Sequence, residues 1–214
     1  MILFANGDSH TYGEEVPNKD DTFASLIGKH FDFRVLNRAT PGGSNDCILR
    51  TSGRHYFSND YFMLIGWTSW EREEWYHNLH YYQINGTGHR TLPKELHERY
   101  CEWVMNSDYS DMVIKSQEWH EKIWMYHKAL QAKRIKHLFF NTFTPFLELD
   151  TPEDFKPLKH KDWQNCFIDP YTDTYYDYLF KNDFKPNCHF HFGADGHKAW
   201  AEYLIKHIEE HKLL

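Results

Sequence analysis

"ILFANGDSHTYG", residues 2–13, is the stretch on which the reading of the whole chain turns. ILFAN (2–6) is mostly apolar and too short to be a helix of its own, so it reads as a buried strand. Gly7, Asp8, Ser9 and His10 then follow in a row where that strand ends. Loops at strand ends are where α/β proteins hold their chemistry. Ser9 is therefore either a nucleophile or merely the cap of the next helix. The rest of the sequence has to separate the two.

Downstream, apolar runs alternate with helical patterns. "DDTFASLIGKHF" (20–31) predicts a helix with Asp20 or Asp21 as N-cap and Phe23, Leu26 and Ile27 on one face. "FRVLNRA" (33–39) is a second strand, broken by Pro41-Gly42-Gly43, and "SNDCILRTSGRHYF" (44–57) a helix capped by Ser44 or Asn45. "DYFMLIGW" (60–67) is apolar almost throughout, as the centre of a parallel sheet requires. Residues 68–108 change character: rich in Trp, Tyr, His and charge, they read as an insertion of loops, with a turn at Gly86-Thr87-Gly88 and a helix near 93–106. The longest helical pattern spans 109–134, and "IKHLFFNTF" (135–143) is a fourth strand. After a loop come a short helix at 171–181 and the amphipathic "GHKAWAEYLIKHIEEHKLL" (196–214). This alternation predicts one α/β domain over 1–214: a three-layer α/β/α sandwich on a parallel, flavodoxin-like sheet of four to five strands.

Composition narrows the partners. A formal net charge of −7 argues against nucleic acid, which calls for a basic face. Aromatic residues reach 18%, a content that fills cores and can also stack on sugars. Cys47, Cys101, Cys166 and Cys188 are widely spaced with no CxxC, the pattern of reduced thiols. The N-terminus lacks the basic and apolar regions of a signal peptide, and no stretch has the length of a membrane span. The expectation is a protein of the cytoplasm without membrane contact, virion association included.

Three blocks now stand in order. They are Gly-Asp-Ser after the first strand, "NRATPGGSN" (37–45) after the second, and "HFGADGHKAWAEYL" (191–204) leading into the last helix. Together they resemble the SGNH (GDSL-like) hydrolase family across essentially the whole chain. The compact length, with "IGWTS" (65–69) as third block, resembles the family's phage and bacterial proteins. The resemblance implies that Ser9 is the nucleophile and His191 the base. Gly42 and the Ser9 N–H would be oxyanion donors, with Asp8 holding the turn. It implies a serine esterase needing no cofactor or metal, acting on a small-molecule or glycan ester. An O-acetyl group on a carbohydrate suits the aromatic wealth.

The chemistry fits those residue types. A serine hydroxyl attacks a carbonyl only when a neighbouring base takes its proton. The oxyanion so formed is held by fixed N–H donors, each worth roughly 3–4 kcal/mol. Two positions depart from the family's pattern. Its third block carries an Asn donor where "GWTSWERE" (66–73) has Thr68 or Ser69, with Asn45 as an alternative amide from the neighbouring loop. Its acid precedes the histidine by two or three residues, where Cys188 and His189 stand. Asp169 is the candidate from elsewhere; a Ser–His dyad and an inactive site are the other two readings.

Bland readings stand beside these. Trp67 and Trp70 read as core, Glu71 and Arg72 as a solvated pair, and Asn85-Gly86-Thr87 as a turn. His189 and His191, on one face of an extended segment, could with His10 bind a metal. A non-catalytic protein that recognises a glycan or a protein partner through the aromatic stretch 67–82 is the stronger rival.

Overall fold

Alternation along three strands builds the centre of the molecule. In β1 (Ile2–Asn6), Leu3 and Ala5 face one way and Phe4 the other. In β3 (Tyr61–Trp67), Phe62 and Leu64 oppose Met63 and Ile65. In β6 (Lys136–Asn141), Leu138 and Phe140 oppose Phe139. Strands apolar on both sides require cover on both. One face is covered by α2 (Phe23–His30), α6 (Tyr175–Lys181) and α7 (Ala194–Glu210), which supply Phe23, Ile27, Leu179, Trp200 and Leu204. The other takes Ile48 from α3 (Asn45–Gly53) and Trp119, Ile123 and Leu130 from α5 (Tyr109–Ala132). The result is a three-layer α/β/α sandwich. It is drawn from a computed structural model that describes residues 1–54, 58–86, 92–147 and 159–214.

Every pairing in the main sheet is parallel, in the order β2–β1–β3–β6–β7, with β2 (Arg34–Asn37) and β7 (Phe167–Ile168) at its edges. This is the flavodoxin-like order. The chain switches direction across the sheet between β1 and β3, and ligands in such sheets bind outside the carboxyl ends at that switch. Ala5 pairs with both Asn37 and Leu64, so the loops after β1, β2 and β3 leave one edge together.

Two local readings are corrected and two are narrowed. Thr22 caps α2, its Oγ1 accepting the Ser25 N–H; Asp20 and Asp21 lie in a preceding 3₁₀ turn that Asn18 caps. At α3 the alternative resolves to Ser44 as the cap. The 68–108 insertion holds an antiparallel hairpin, β4 (Glu73–His77) and β5 (His80–Ile84), where loops were expected. Its turn is Asn78-Leu79, both at positive φ (47° and 65°), the conformation a tight two-residue hairpin needs. The hairpin and α4 (His97–Asn106) close a small core of their own around Trp75, Ile84, Leu96 and Tyr100. Finally, two-residue β7 extends the sheet to five strands. Thr87 and Gly88 of the expected turn lie outside the described residues, as do 55–57 at the end of the expected α3 segment. Trp67 and Trp70 are fully buried. No described helix is long and apolar enough to cross a membrane.

Candidate active site

The turn after β1 is tightly constrained. A side chain at Gly7 would collide with Thr11 and come within 2.9 Å of the Gly66 carbonyl, so only glycine lets β1 pass β3 this closely. The single-turn helix α1 (Ser9–Tyr12) begins at once, with Asp8 as N-cap: its Oδ1 accepts the His10 N–H at 3.0 Å. Gly13 ends it in the left-handed conformation at φ 75°.

Asp8 is wholly buried, and three groups surround it. Besides the His10 N–H, the Thr68 hydroxyl donates to Oδ2 at 2.8 Å, and Arg72 Nη1 stands 3.5 Å from the same oxygen. A carboxylate can only accept, so the Thr68 hydrogen is committed to it. The expectation that Thr68 donates into the cleft therefore gives way: it holds Asp8. Asn45 is corrected likewise. Its Oδ1 accepts the Thr68 N–H at 2.9 Å and its Nδ2 donates to the Thr68 carbonyl at 3.1 Å, with no exposure to the cleft. The amide clamps the end of β3 to the start of α3.

After β2, Asn37 Oδ1 accepts the Ala39 N–H, and the chain turns so that Thr40 donates its N–H to the Gly7 carbonyl. Gly42 follows at φ 69°, a conformation glycine tolerates best, at the cleft wall. Among the described residues, neither the Ser9 nor the Gly42 N–H enters a backbone hydrogen bond. The insertion braces this turn. Gln83 Oε1 on β5 accepts from Ser44 N–H and Oγ at 2.9 and 3.1 Å, while Gln83 Nε2 donates to Glu74 at 2.7 Å. Glu74 in turn receives a two-pronged Arg50 contact from α3 at 2.7 and 2.6 Å.

On the opposite wall, residues 187–191 form a tight turn organised by Asn187. Its side-chain oxygen accepts the N–H groups of His189 and His191 at 2.9 and 3.0 Å, and its N–H donates to the His191 carbonyl at 2.8 Å. His191 faces two carboxylates: Glu15 Oε2 is 3.7 Å from Nδ1, and Glu14 Oε2 is 3.7 Å from Nε2. The other oxygen of Glu15 holds His189 Nδ1 at 2.6 Å. Asp169 does not join them; its Oδ2 accepts the Tyr203 hydroxyl at 3.3 Å.

Ser9, Gly42, Arg72, Phe143, Glu15 and His191 thus share one open cleft of about 850 Å³. Beneath it, His10 packs 4.9 Å from the His191 ring, and burial pushes it down to about 4. His197 is pushed down to about 3, mainly by burial, and its Nδ1 accepts the Phe23 N–H that opens α2. Both are neutral at pH 7. His189 is tied to Glu15, and among the described residues His10, His189 and His191 do not bring their ring nitrogens together as a three-ligand group.

Sequence reasoning missed Glu14, Glu15, Arg72 and Asn187. A signal for the glutamates was present: a helix that stops after one turn brings the next residues back over its start, and Glu14 N–H bonds the Ser9 carbonyl at 2.9 Å. Arg72 reads from sequence as solvated, yet it points inward over Phe143 at 5.3 Å from the ring centroid.

Against solved structures, the chain is similar to a protein assigned to the G-D-S-L lipolytic family from Desulfitobacterium hafniense, at 12% identity over 96% of this chain and 98% of that one, TM-score 0.37. It is also similar to a carbohydrate esterase whose active site is described as having divergent catalytic and non-catalytic binding functions. There the identity is 13% over 98% of this chain and 64% of that one, TM-score 0.47. A third is the psychrotrophic esterase EstA from Pseudoalteromonas sp., at 12% identity over 98% and 97%, TM-score 0.42. No family model and no curated protein matches the chain. The functional reading below rests on the geometry of the cleft.

Proposed function

We propose that the protein is a serine ester hydrolase of the SGNH type, acting most readily on a small acyl ester such as an O-acetyl group on a carbohydrate. One observation carries this: Ser9, at the carboxyl end of β1, and His191, on the turn before α7, line one cleft at the sheet's switch point. Ser9 Oγ attacks the ester carbonyl carbon while His191 takes its proton. The oxyanion accepts the Ser9 and Gly42 N–H groups. Collapse expels the alcohol, protonated by His191, and leaves an acyl-serine. Water then attacks with His191 again as base, releasing the acid and free Ser9. Glu15, 3.7 Å from Nδ1 and thus beyond hydrogen-bond length, is the carboxylate placed to orient the imidazole and stabilise its protonated form when Nε2 turns from Glu14 to the reacting atoms. This is the acid's role, supplied from the nucleophile's own loop. Arg72 and Phe143 offer a cation and an apolar wall to the substrate, and Phe190, 64% exposed at the rim, a face for a sugar ring.

The test is hydrolysis of a short-chain acetyl ester and of an acetylated oligosaccharide by wild type and Ser9→Ala. The variant should lose roughly a thousandfold or more, the scale of a missing triad member. Equal rates exclude the proposal. One observation favours the rival reading of a binding protein: the Thr68 hydroxyl of the third block is committed to Asp8, leaving Ser69, which lines the cleft, as that block's one hydroxyl beside the two backbone donors. On that reading Ser9→Ala binds the acetylated glycan as wild type does, and neither protein turns it over.

A further inference from the structure

The opposite end of the sheet gathers a second set of chemically capable side chains. His127 on α5, His137 near the start of β6 and Cys166 just before β7 each offer one ligand atom within 4.8 Å of the others. His127 Nδ1 and His137 Nε2 are 2.8 Å apart, and both rings are buried. His137 Nδ1 lies 2.8 Å from the Ile135 carbonyl, which can only accept, so the ring carries its hydrogen there and turns its Nε2 lone pair toward His127. That is how ligating histidines are usually oriented, the far nitrogen fixed by a carbonyl. Cys166, half-buried, and His137 both line a cavity of about 310 Å³.

We propose that His127, His137 and Cys166 form a three-ligand site for a zinc-type divalent cation, which ties α5 to the β6–β7 edge and leaves a fourth position open to the cavity.

The donor set and its spacing support this. Two imidazoles with one thiolate suit zinc, and soft sulfur disfavours magnesium or calcium. Zn–N bonds of about 2.0 Å in a tetrahedron hold two nitrogens about 3.3 Å apart, so the histidine pair opens by about half an ångström and the sulfur closes in. Without the ion, His127 Nδ1–H donates to His137. With it, that proton moves to His127 Nε2, a nitrogen with no partner among the described residues. The Cys166 thiol releases its proton to solvent, so one proton leaves per ion bound. The site is separate from the Ser9 cleft, and its failure leaves the hydrolase reading untouched.

Titration of the metal-free full chain with Co²⁺, followed by absorbance, tests it. One equivalent should bind with the near-ultraviolet band of a thiolate ligand and the visible spectrum of a tetrahedral ion. Cys166→Ser should lose that band and weaken binding beyond the ~10–100-fold typical of an outer partner. Its melting in the absence of metal checks that it is folded. His191→Ala should bind as wild type does. No uptake, uptake without the thiolate band, an undiminished affinity in Cys166→Ser, or loss in His191→Ala each overturns the proposal, leaving a simple histidine–histidine hydrogen bond.

Discussion

The two walls of the cleft are built on different principles. On the Ser9 side, Asp8, Thr68 and Asn45 are all at most 1% exposed and bonded to one another or to backbone. On the His191 side, a turn organised by one asparagine carries a base whose carboxylates sit at 3.7 Å in contact with water. Folding alone fixes the first wall. The second is set by charges that solvent screens. Substitutions in the first should therefore move stability and activity together, and those in the second activity alone.

His191→Ala should show the largest effect: at least roughly a thousandfold loss in kcat/KM with an unchanged Tm, His189→Ala keeping most activity. Should His189→Ala be the dead variant, the assignment of the base shifts by two residues. Asp8→Ala breaks the comparison from the other side. It removes the α1 cap and the buried partner of Thr68 and Arg72, so denaturant unfolding should report a loss of about 2–4 kcal/mol along with activity.

Acid tests the buried histidines next, His120, His127 and His137 outside the cleft being lowered by burial as those beneath it are. His10, lowered from 6.5 to about 4 mainly by burial, binds its proton more weakly folded than unfolded. Its contribution is complete above pH 6.5 and is lost as pH falls toward 4, on the order of 3 kcal/mol. His197 acts in the same sense. Urea midpoints should accordingly drop across that range; a flat profile contradicts the burial of His10. Glu15→Gln should lower kcat by roughly ten- to a hundredfold, less than loss of a fully buried triad acid, with Tm unchanged. The smallest effect belongs to Gln83→Ala. Loosening the Gly42–Ser44 turn should cost about 1 kcal/mol of stability and a several-fold drop in kcat, seen by comparing melts with turnover.

These contrasts also mark what the sequence could show. β1, β3, β6 and the long helices were legible because buried apolar residues recur at strand or helix period over five residues or more. β7 has two residues, too few for any period. The β4–β5 hairpin hid because it covers its own small core with Glu73, Glu74 and exposed tyrosines, and its turn uses Asn78-Leu79 instead of a glycine pair. At the site, the gathering of Ser9, Gly42 and His191 on one cleft was legible from their positions at element ends. Thr68 and Asn45 were recognised as positions but given the wrong task, since which way a hydroxyl or amide turns depends on partners distant in sequence. Asp8 and Thr68 stand sixty residues apart. Arg72 carries no local signal, because a charged residue in a loop looks solvated until its neighbours are known, whereas Glu15 carries only the indirect one of following a helix of a single turn.

The central claim is that Ser9 is an activated nucleophile served by His191. Labelling with a fluorophosphonate, which captures only an activated serine, tests it most directly when the adduct is mapped by mass spectrometry. The account predicts one adduct per chain on Ser9, none in Ser9→Ala, and labelling slowed by orders of magnitude in His191→Ala. An unlabelled wild type, or an adduct that forms equally in Ser9→Ala, contradicts it.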